Sequence, residues 1–217
     1  MPQPTFSIII PVLNEEKILT ENASYYRGLK AKAAELIFVD GGSTDGTVGV
    51  ARDYGDVIVS KPGRGIQKNA GAKVARSGYL LFLRVEAVVS DGALGSIERV
   101  LRHGANGGCL TMRIDDNGAV FRLYERLVNW RARVFGVIDG DLGMFIRRNL
   151  FEELDGFDRL SVMEDIVFAR KLRDAGPVTV LTNEIAVSSR KWRERGFLRT
   201  FFDYTYAYLK FWTGQSK

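Results

Sequence analysis

The chain contains almost no cysteine or histidine. Its 217 residues include one cysteine, Cys109, and one histidine, His103. A single cysteine cannot form an internal disulfide, so the composition favours a cytoplasmic protein. His103 falls at an expected helix end and Cys109 in an expected strand. A capping role and an inert core thiol are therefore favoured over catalysis at these two positions.

Long apolar runs are also missing. None approaches the roughly eighteen residues of a transmembrane helix, so we expect no membrane span. The amino terminus lacks the basic and apolar regions of a secretory signal. Apolar residues nevertheless make up 46% of the sequence, which predicts one domain over residues 1–217. The net charge of +5 favours an anionic partner, namely nucleotide phosphates, nucleic acid or an acidic membrane surface. No RNA- or DNA-binding signature is present, so we expect no nucleic-acid partner.

Short strands and helices alternate in the first half of the chain. We predict strands at 6–10, 36–39, 57–60 and 79–83, and helices at 15–33, 44–54, 67–76 and 91–101. The alternation is less regular in the second half, where we predict strands at 109–114 and 143–147 and a basic helix at 121–135. This pattern predicts an α/β fold with a mostly parallel central sheet flanked by helices. Residues 1–103 would form a nucleotide-binding half, 104–195 an acceptor and catalytic half, and 196–217 an aromatic helix.

Acidic residues follow the first two predicted strands. Asp40 comes directly after the strand 36–39, and Asn14 and Glu15 follow the first strand. Carboxyl ends of parallel strands meet at one sheet edge, where α/β proteins bind ligands. Carboxylates there suit ribose hydroxyls or a base. The alternative is ordinary helix capping, by Asn14 for the first helix and by Ser43 or Thr44 for the second.

A basic, glycine-rich loop at 61–71 supplies the phosphate-binding groups that the acidic edge lacks. Backbone amides and Arg64 could bind phosphate there. The segment is neither a P-loop nor a dinucleotide fingerprint. The alternative is that its glycines only close a turn and that Lys68 is solvated.

Taken together, these segments resemble the family 2 glycosyltransferases, which have the Rossmann-like GT-A fold. The matching segments lie in family order: Pro11-x-x-Asn14-Glu15, residues 39–47, residues 63–71, the strand 80–83, and Met163-Glu164-Asp165. The chain is most similar to a short, soluble bacterial or archaeal subgroup. Members of that subgroup also carry a Gly-Asp segment before Phe-x-Arg-Arg, as in residues 140–148, and a late Arg-x-Trp, as in residues 190–192.

The resemblance implies an inverting transfer of sugar from a nucleotide sugar, commonly a UDP-sugar, to a hydroxyl acceptor that is unknown and could be lipid-linked. Asp165 would be the general base and Glu164 would orient the acceptor. The nucleotide would contact Pro11, Asn14, Glu15, Asp40, Gly42, Arg64, Gln67, Asn69 and Arg84. The acceptor side would carry Asp141, Arg190 and Trp192.

The metal motif departs from the family pattern. Where the family has an acidic motif, this chain reads Arg84-Val85-Glu86-Ala87, so Glu86 alone is left as a doubtful metal ligand. A manganese or magnesium cofactor is therefore left open. Arg84 could replace the cation by pairing with the diphosphate. The rival is a nucleotide- or sugar-binding protein that has lost catalysis.

The segment 196–217 carries eight aromatic residues. One interpretation is an interfacial helix on anionic lipid, which would place the protein peripherally at the inner membrane face. The other is a core or homodimer helix. A scaffold for membrane or protein contacts is a third function class. Trp130, Arg131 and Arg133 form a second basic, aromatic stretch.

Overall fold

One eight-stranded sheet organises this computed structural model, which describes residues 5–32, 34–160 and 162–195. The strands are β1 (Phe6–Val12), β2 (Ala34–Asp40), β3 (Asp56–Val59), β4 (Tyr79–Phe82), β5 (Val88–Val89), β6 (Gly107–Ile114), β7 (Met144–Arg147) and β8 (Val178–Val187). The helices are α1 (Glu16–Glu21), α2 (Ala23–Ala31), α3 (Thr47–Arg52), α4 (Arg64–Val74), α5 (Ala93–Arg102), α6 (Ala119–Phe135), α7 (Arg148–Glu153), α8 (Glu164–Asp174) and α9 (Arg190–Arg195). A 3-10 turn spans Gly140–Leu142.

The strand order is β3-β2-β1-β4-β7-β6-β8-β5. The first four strands are mutually parallel, and β6 is parallel to β8. The antiparallel contacts are those of β7 with β4 and β6, and of β5 with β8. A mostly parallel α/β sheet was predicted, and the structure confirms it.

Alternate residues of the central strand β1 enter two hydrophobic cores. Ile8 and Ile10 face the core that contains Tyr26 of α2. Ile9 faces the opposite core, together with Ala72 of α4. This alternation follows from the two-residue period of a strand, and it requires helices on both faces of the sheet.

Several predicted boundaries were wrong. The predicted helix 15–33 is divided at Asn22, which ends α1 and begins α2. Strand β8 was not predicted, because most of its residues are only partly buried and its apolar pattern is weak. Ser43 and Thr44 do not cap α3. Its first residue, Thr47, instead donates its backbone N–H to Asp45 Oδ1 at 3.0 Å.

Helix α6 is fastened to the outer half of β6 by polar side chains. Asn129 accepts a hydrogen bond from the Met112 N–H at 2.8 Å and donates one to the Met112 carbonyl at 3.0 Å. One helical turn earlier, Glu125 accepts the Ile114 N–H, and Arg122 Nη2 donates to the Ile114 carbonyl at 2.7 Å. The basic helix predicted at 121–135 is thus a fixed part of the fold.

The single cysteine and the single histidine occupy the structural positions expected for them. Cys109 is fully buried, and burial raises the pKa of its thiol well above the ordinary value. His103 follows α5, with Nδ1 2.7 Å from the Arg99 carbonyl.

Within the described ranges, no helix has the length and apolar character needed to cross a bilayer. The predicted aromatic helix at 196–217 lies outside the described residues.

Candidate active site

The carboxyl ends of β1 and β2 lie side by side, with Val12 opposite Asp40. Buried Gln67 of α4 bridges them, since its Nε2 donates to the Val12 carbonyl at 3.0 Å and to the Val39 carbonyl at 2.7 Å. Gln67 was predicted to contact the nucleotide. In the structure its amide nitrogen is committed to holding this sheet edge together.

The loops after β1 and β2 are joined to each other. Asp40 is buried, and its carboxylate accepts the N–H groups of Gly42 at 2.9 Å and Ser43 at 3.0 Å. Asn14 accepts the Thr44 N–H at 2.8 Å, so it bridges the loops and does not cap α1. Gly42 has φ of 100°, which its missing Cβ permits. Asp40 and Asn14 thus shape the edge, and their nucleotide contacts stay predictions, as does that of half-buried Pro11.

Glu15 lies among charged residues from both halves of the chain. Partial burial and the Glu86 carboxylate raise its pKa from the ordinary value, while Arg190 and Arg84 lower it. The fold therefore brings a residue predicted for the nucleotide side, Glu15, near one predicted for the acceptor side, Arg190. Two halves of the predicted site meet at this point.

Arg84 bridges two carboxylates at the position of the altered metal motif. Its Nη2 lies 2.5 Å from Glu86 Oε1, and its Nη1 lies 2.7 Å from Asp141 Oδ1 in the 3-10 turn. All three side chains are mostly buried.

These residues do not make a good divalent cation site. Such a site needs several oxygen ligands facing one point, whereas the Glu86 carboxylate faces a guanidinium. Across the residues that the structure describes, no group of three or more metal-ligating side chains converges. The side chains of these residues therefore do not form a metal site by themselves, and a cation here would need ligands from the donor diphosphate.

A second buried ion cluster surrounds the predicted base. Lys68 of α4 reaches the start of α8, where its Nζ lies 3.1 Å from Glu164 Oε1 and contacts Asp165 Oδ1. All three residues are less than 9% exposed, and the Lys68 ammonium also lies 4.8 Å from the centre of the Phe157 ring. The alternative interpretation, in which Lys68 is solvated, was wrong, because this face of α4 packs against α8.

The 3-10 turn connects the two ion clusters. Gly140 lies so close to Asp165 Oδ2 that a Cβ there would overlap it, and the next residue, Asp141, holds Arg84. Asp139, just before the turn, pairs with Arg131. Burial raises the pKa of Asp139 to about 6. Arg131 opposes that shift, and the charges of Asp141 and Asp165 add to it.

The remaining predicted residues have different surroundings. Asn69 donates to the Phe157 carbonyl at 2.8 Å and accepts the Phe157 N–H at 2.9 Å, so it fixes the segment that leads to α8. Arg64 is exposed at the first turn of α4. Trp192 is buried against Phe121 and Tyr124 of α6.

Sequence reasoning missed Lys68 as a partner of Glu164 and Asp165, and it did not predict that Asp139 pairs with Arg131. One signal for Lys68 was available: it lies three and four positions before Gly71 and Ala72, so it shares their buried helix face. No local pattern marks Asp139 or Arg131, because their pairing depends on how α6 packs beside the 3-10 turn.

The sequence model of glycosyl transferase family 2 matches residues 7–155, more than half of the chain. The chain belongs to glycosyltransferase family 2. The matched region contains the sheet edge, Lys68 and the Arg84 cluster, and it ends before Glu164 and Asp165. Among curated proteins, none matches this family 2 chain significantly.

Solved structures share the fold of this family 2 chain. Residues 1–349 of TarS from S. aureus, in complex with UDP-GlcNAc, superpose with a TM-score of 0.66 at 21% identity, covering 85% of this chain and 58% of that one. The mannosyltransferase PcManGT from Pyrobaculum calidifontis, in complex with GDP-Man and Mn2+, gives 0.62 at 17% identity, with coverages of 86% and 57%. This chain therefore spans less than two thirds of the structures it resembles. The likeness shows that it has the GT-A fold.

Proposed function

We propose that this protein is an inverting glycosyltransferase that moves a sugar from a nucleoside diphosphate sugar to a hydroxyl acceptor, with Asp165 as general base. The observation that carries the proposal is the position of Asp165. Its buried carboxylate is held by Lys68 of α4 and lies against the turn that bears Asp141. Family membership supplies the reaction class.

The reaction is a single displacement. The acceptor oxygen forms a bond to the anomeric carbon as the bond from that carbon to the diphosphate oxygen breaks. The acceptor proton moves to an Asp165 carboxylate oxygen, and the nucleoside diphosphate leaves with the bonding electron pair. Because a carboxylate is a weak base, the transfer occurs late, when the attacking oxygen has become acidic.

Lys68 would hold the base in place. Two adjacent buried carboxylates repel each other, and a cation between them offsets that repulsion. The Lys68 ammonium contacts both, so the Asp165 carboxylate is fixed in one orientation. Glu164, on the same ammonium, then serves as a positioning residue.

Arg84 is the proposed partner of the donor diphosphate in place of a cation. Glu86 and Asp141 hold its guanidinium in a fixed place, and fixed positive charge stabilises a diphosphate leaving group without rearrangement. Arg64, at the first turn of α4, is the second candidate for a phosphate contact. UDP-sugars are the first donors to test. PcManGT was solved with Mn2+, so a metal requirement is the direct competing outcome.

Calorimetry with UDP-GlcNAc and GDP-mannose, with EDTA or with manganese, tests the donor proposal. We expect binding that EDTA leaves unchanged and that Arg84→Gln weakens by roughly tenfold or more. Arg52→Gln, on the exposed surface of α3, is the matched control. Binding that requires manganese would overturn the role given to Arg84.

Asp165→Asn tests the base. Donor hydrolysis and transfer should fall by roughly a hundredfold or more while donor affinity is retained. Asp174→Asn, exposed at the other end of α8, should behave as wild type. Equal turnover by the Asp165→Asn protein would refute the assignment.

A nucleotide-sugar-binding protein without catalysis is the second candidate. It is favoured by the two carboxylates that already oppose the charge of Arg84. Release of free nucleoside diphosphate from a donor by the wild-type protein, or transfer to any acceptor, would eliminate it. A lipid-linked acceptor and a membrane or dimer role for residues 196–217 stay predictions from composition, since that segment lies outside the described residues.

A further inference from the structure

Helix α6 has a second apolar face that points away from the sheet. Its inner face, with Val128 and Ala132, lies in the core. The outer face carries five residues at alternating spacings of three and four positions, which places them on one stripe of a helix. They are between 47% and 68% exposed: Val120, Leu123, Leu127, Trp130 and Val134. We call these five residues the outer stripe.

Most of the exposed large hydrophobic side chains of the described residues lie on α6. Ten such side chains are exposed in the described part of the chain, and six of them belong to α6: the five of the outer stripe and Phe135 at the end of the helix. Phe135 packs edge-on against Trp130, with ring centres 5.2 Å apart. Scattered single residues need no explanation, but a contiguous row of this kind marks a contact surface.

Arginines border the outer stripe. Arg126 and Arg133 are exposed along one side of it, and Arg131 lies on the other. At the carboxyl end of α6 a groove of about 620 Å³ continues the surface, and its lining includes Arg133, Phe135 and Arg173. The face therefore combines aliphatic and aromatic side chains with a positively charged border.

This charge pattern favours an anionic surface over a second copy of the chain as the binding partner of the outer stripe. A second copy docking stripe to stripe would bring the exposed Arg126 and Arg133 of one chain against the same arginines of the other. Like charges beside a helix pair disfavour pairing. An anionic surface has the complementary charge. Leu, Trp and Phe on one face, bordered by arginine, are the composition with which helices lie in the headgroup region of a bilayer.

The outer stripe is also held rigidly. The polar contacts of Arg122, Glu125 and Asn129 fasten α6 to β6, so the stripe is presented in a fixed orientation. Trp192 of α9 packs on the opposite, inner side of α6.

We propose that the outer stripe of α6 docks the protein on an anionic phospholipid bilayer. Leu127 and Trp130 enter the interfacial layer, and Arg126, Arg133 and Arg173 face the phosphate groups. The proposal does not depend on the transfer chemistry, because its site contains neither of the two ion clusters.

Vesicle flotation with the full chain tests the proposal. We expect binding to vesicles of phosphatidylcholine mixed with phosphatidylglycerol, little binding to phosphatidylcholine alone, and weakening by salt. Leu127→Gln with Trp130→Gln should reduce binding at least about tenfold. Arg126→Gln with Arg133→Gln should reduce it roughly thirtyfold at low salt.

Val59→Gln with Val74→Gln is the matched control, since both residues are exposed and apolar but lie on β3 and α4. Thermal unfolding and donor calorimetry of each variant show whether fold and donor site are intact, and Leu123→Gln alone replaces the double variant if that fails to fold. Three results would overturn the proposal: no vesicle binding by wild type, binding indifferent to the stripe variants, or a wild-type dimer that those variants convert to monomer.

Discussion

Replacing Lys68 by methionine gives the sharpest test of the ion cluster that it forms with Glu164 and Asp165. Methionine keeps similar length but removes the charge. The side chains of Lys68, Glu164 and Asp165 are 8%, 3% and 11% exposed. The cluster therefore belongs to buried ion pairs, for which loss of one partner costs about 3–5 kcal/mol, and not to surface pairs worth about 0–1 kcal/mol.

The loss should have two sources. In the Lys68→Met protein, two adjacent buried carboxylates have no cation, so their mutual repulsion is no longer offset. The substitution also removes the ammonium that lies 4.8 Å from the centre of the Phe157 ring.

Urea unfolding at neutral pH measures the effect without any substrate. Lys73→Met, exposed on the same helix, is the control and should be nearly neutral. Adding Glu164→Gln to Lys68→Met should restore much of the stability, because one carboxylate charge is gone. A Lys68→Met protein with wild-type stability at neutral pH would refute the reasoning.

Three further predictions follow from other contacts. Asp139, with a pKa of about 6 against about 3.9 for a free aspartate, binds more protons in the native than in the unfolded state between these values. The contribution of Asp139 to stability should fall as pH rises through that window, by up to about 1.4 kcal/mol per unit, and Asp139→Asn should remove this contribution to the slope in urea titrations. Asn69→Ala removes both hydrogen bonds to Phe157 and should cost about 1–3 kcal/mol in denaturant unfolding, whereas exposed Asn149→Ala should not. Gly140→Ala would push Asp165 Oδ2 aside and should reduce turnover at least about tenfold, while Gly49→Ala, which meets nothing within 4 Å, should leave turnover unchanged. Equal turnover of the two alanine variants would contradict the close approach at Gly140.

The sequence predicted the sheet well where strands are buried on both faces. The apolar runs of β1 and β2 follow from that burial, and the residues after them were correctly placed at one edge. It failed at β8, whose residues are partly exposed, and at Asn22, where two short helices meet without a glycine or proline. The local sequence at such positions contains no pattern that predicts the structure.

Long-range ion pairing was the larger gap in the site prediction. Arg84 and Asp141 were both selected, but 57 residues separate them, and nothing in either segment shows that they pair. Gln67 and Asn69 were assigned to the nucleotide because of their motif. The structure uses their amides to fix backbone groups of β1, β2 and the segment before α8. A motif predicts where residues gather, but it does not separate those that hold the site from those that touch a ligand.

The polar side chains that join α6 to β6 also protect the protein from self-association. Only Gly107 and Gly108 of β6 pair with β7, so Met112 and Ile114 further along could offer unpaired backbone groups to a strand from another molecule. Arg122, Glu125 and Asn129 occupy those groups. Asn129 imitates a neighbouring peptide unit, because one amide both donates and accepts. Helix α6 thus closes a route to β-sheet aggregation on the same element that exposes an apolar surface to its surroundings.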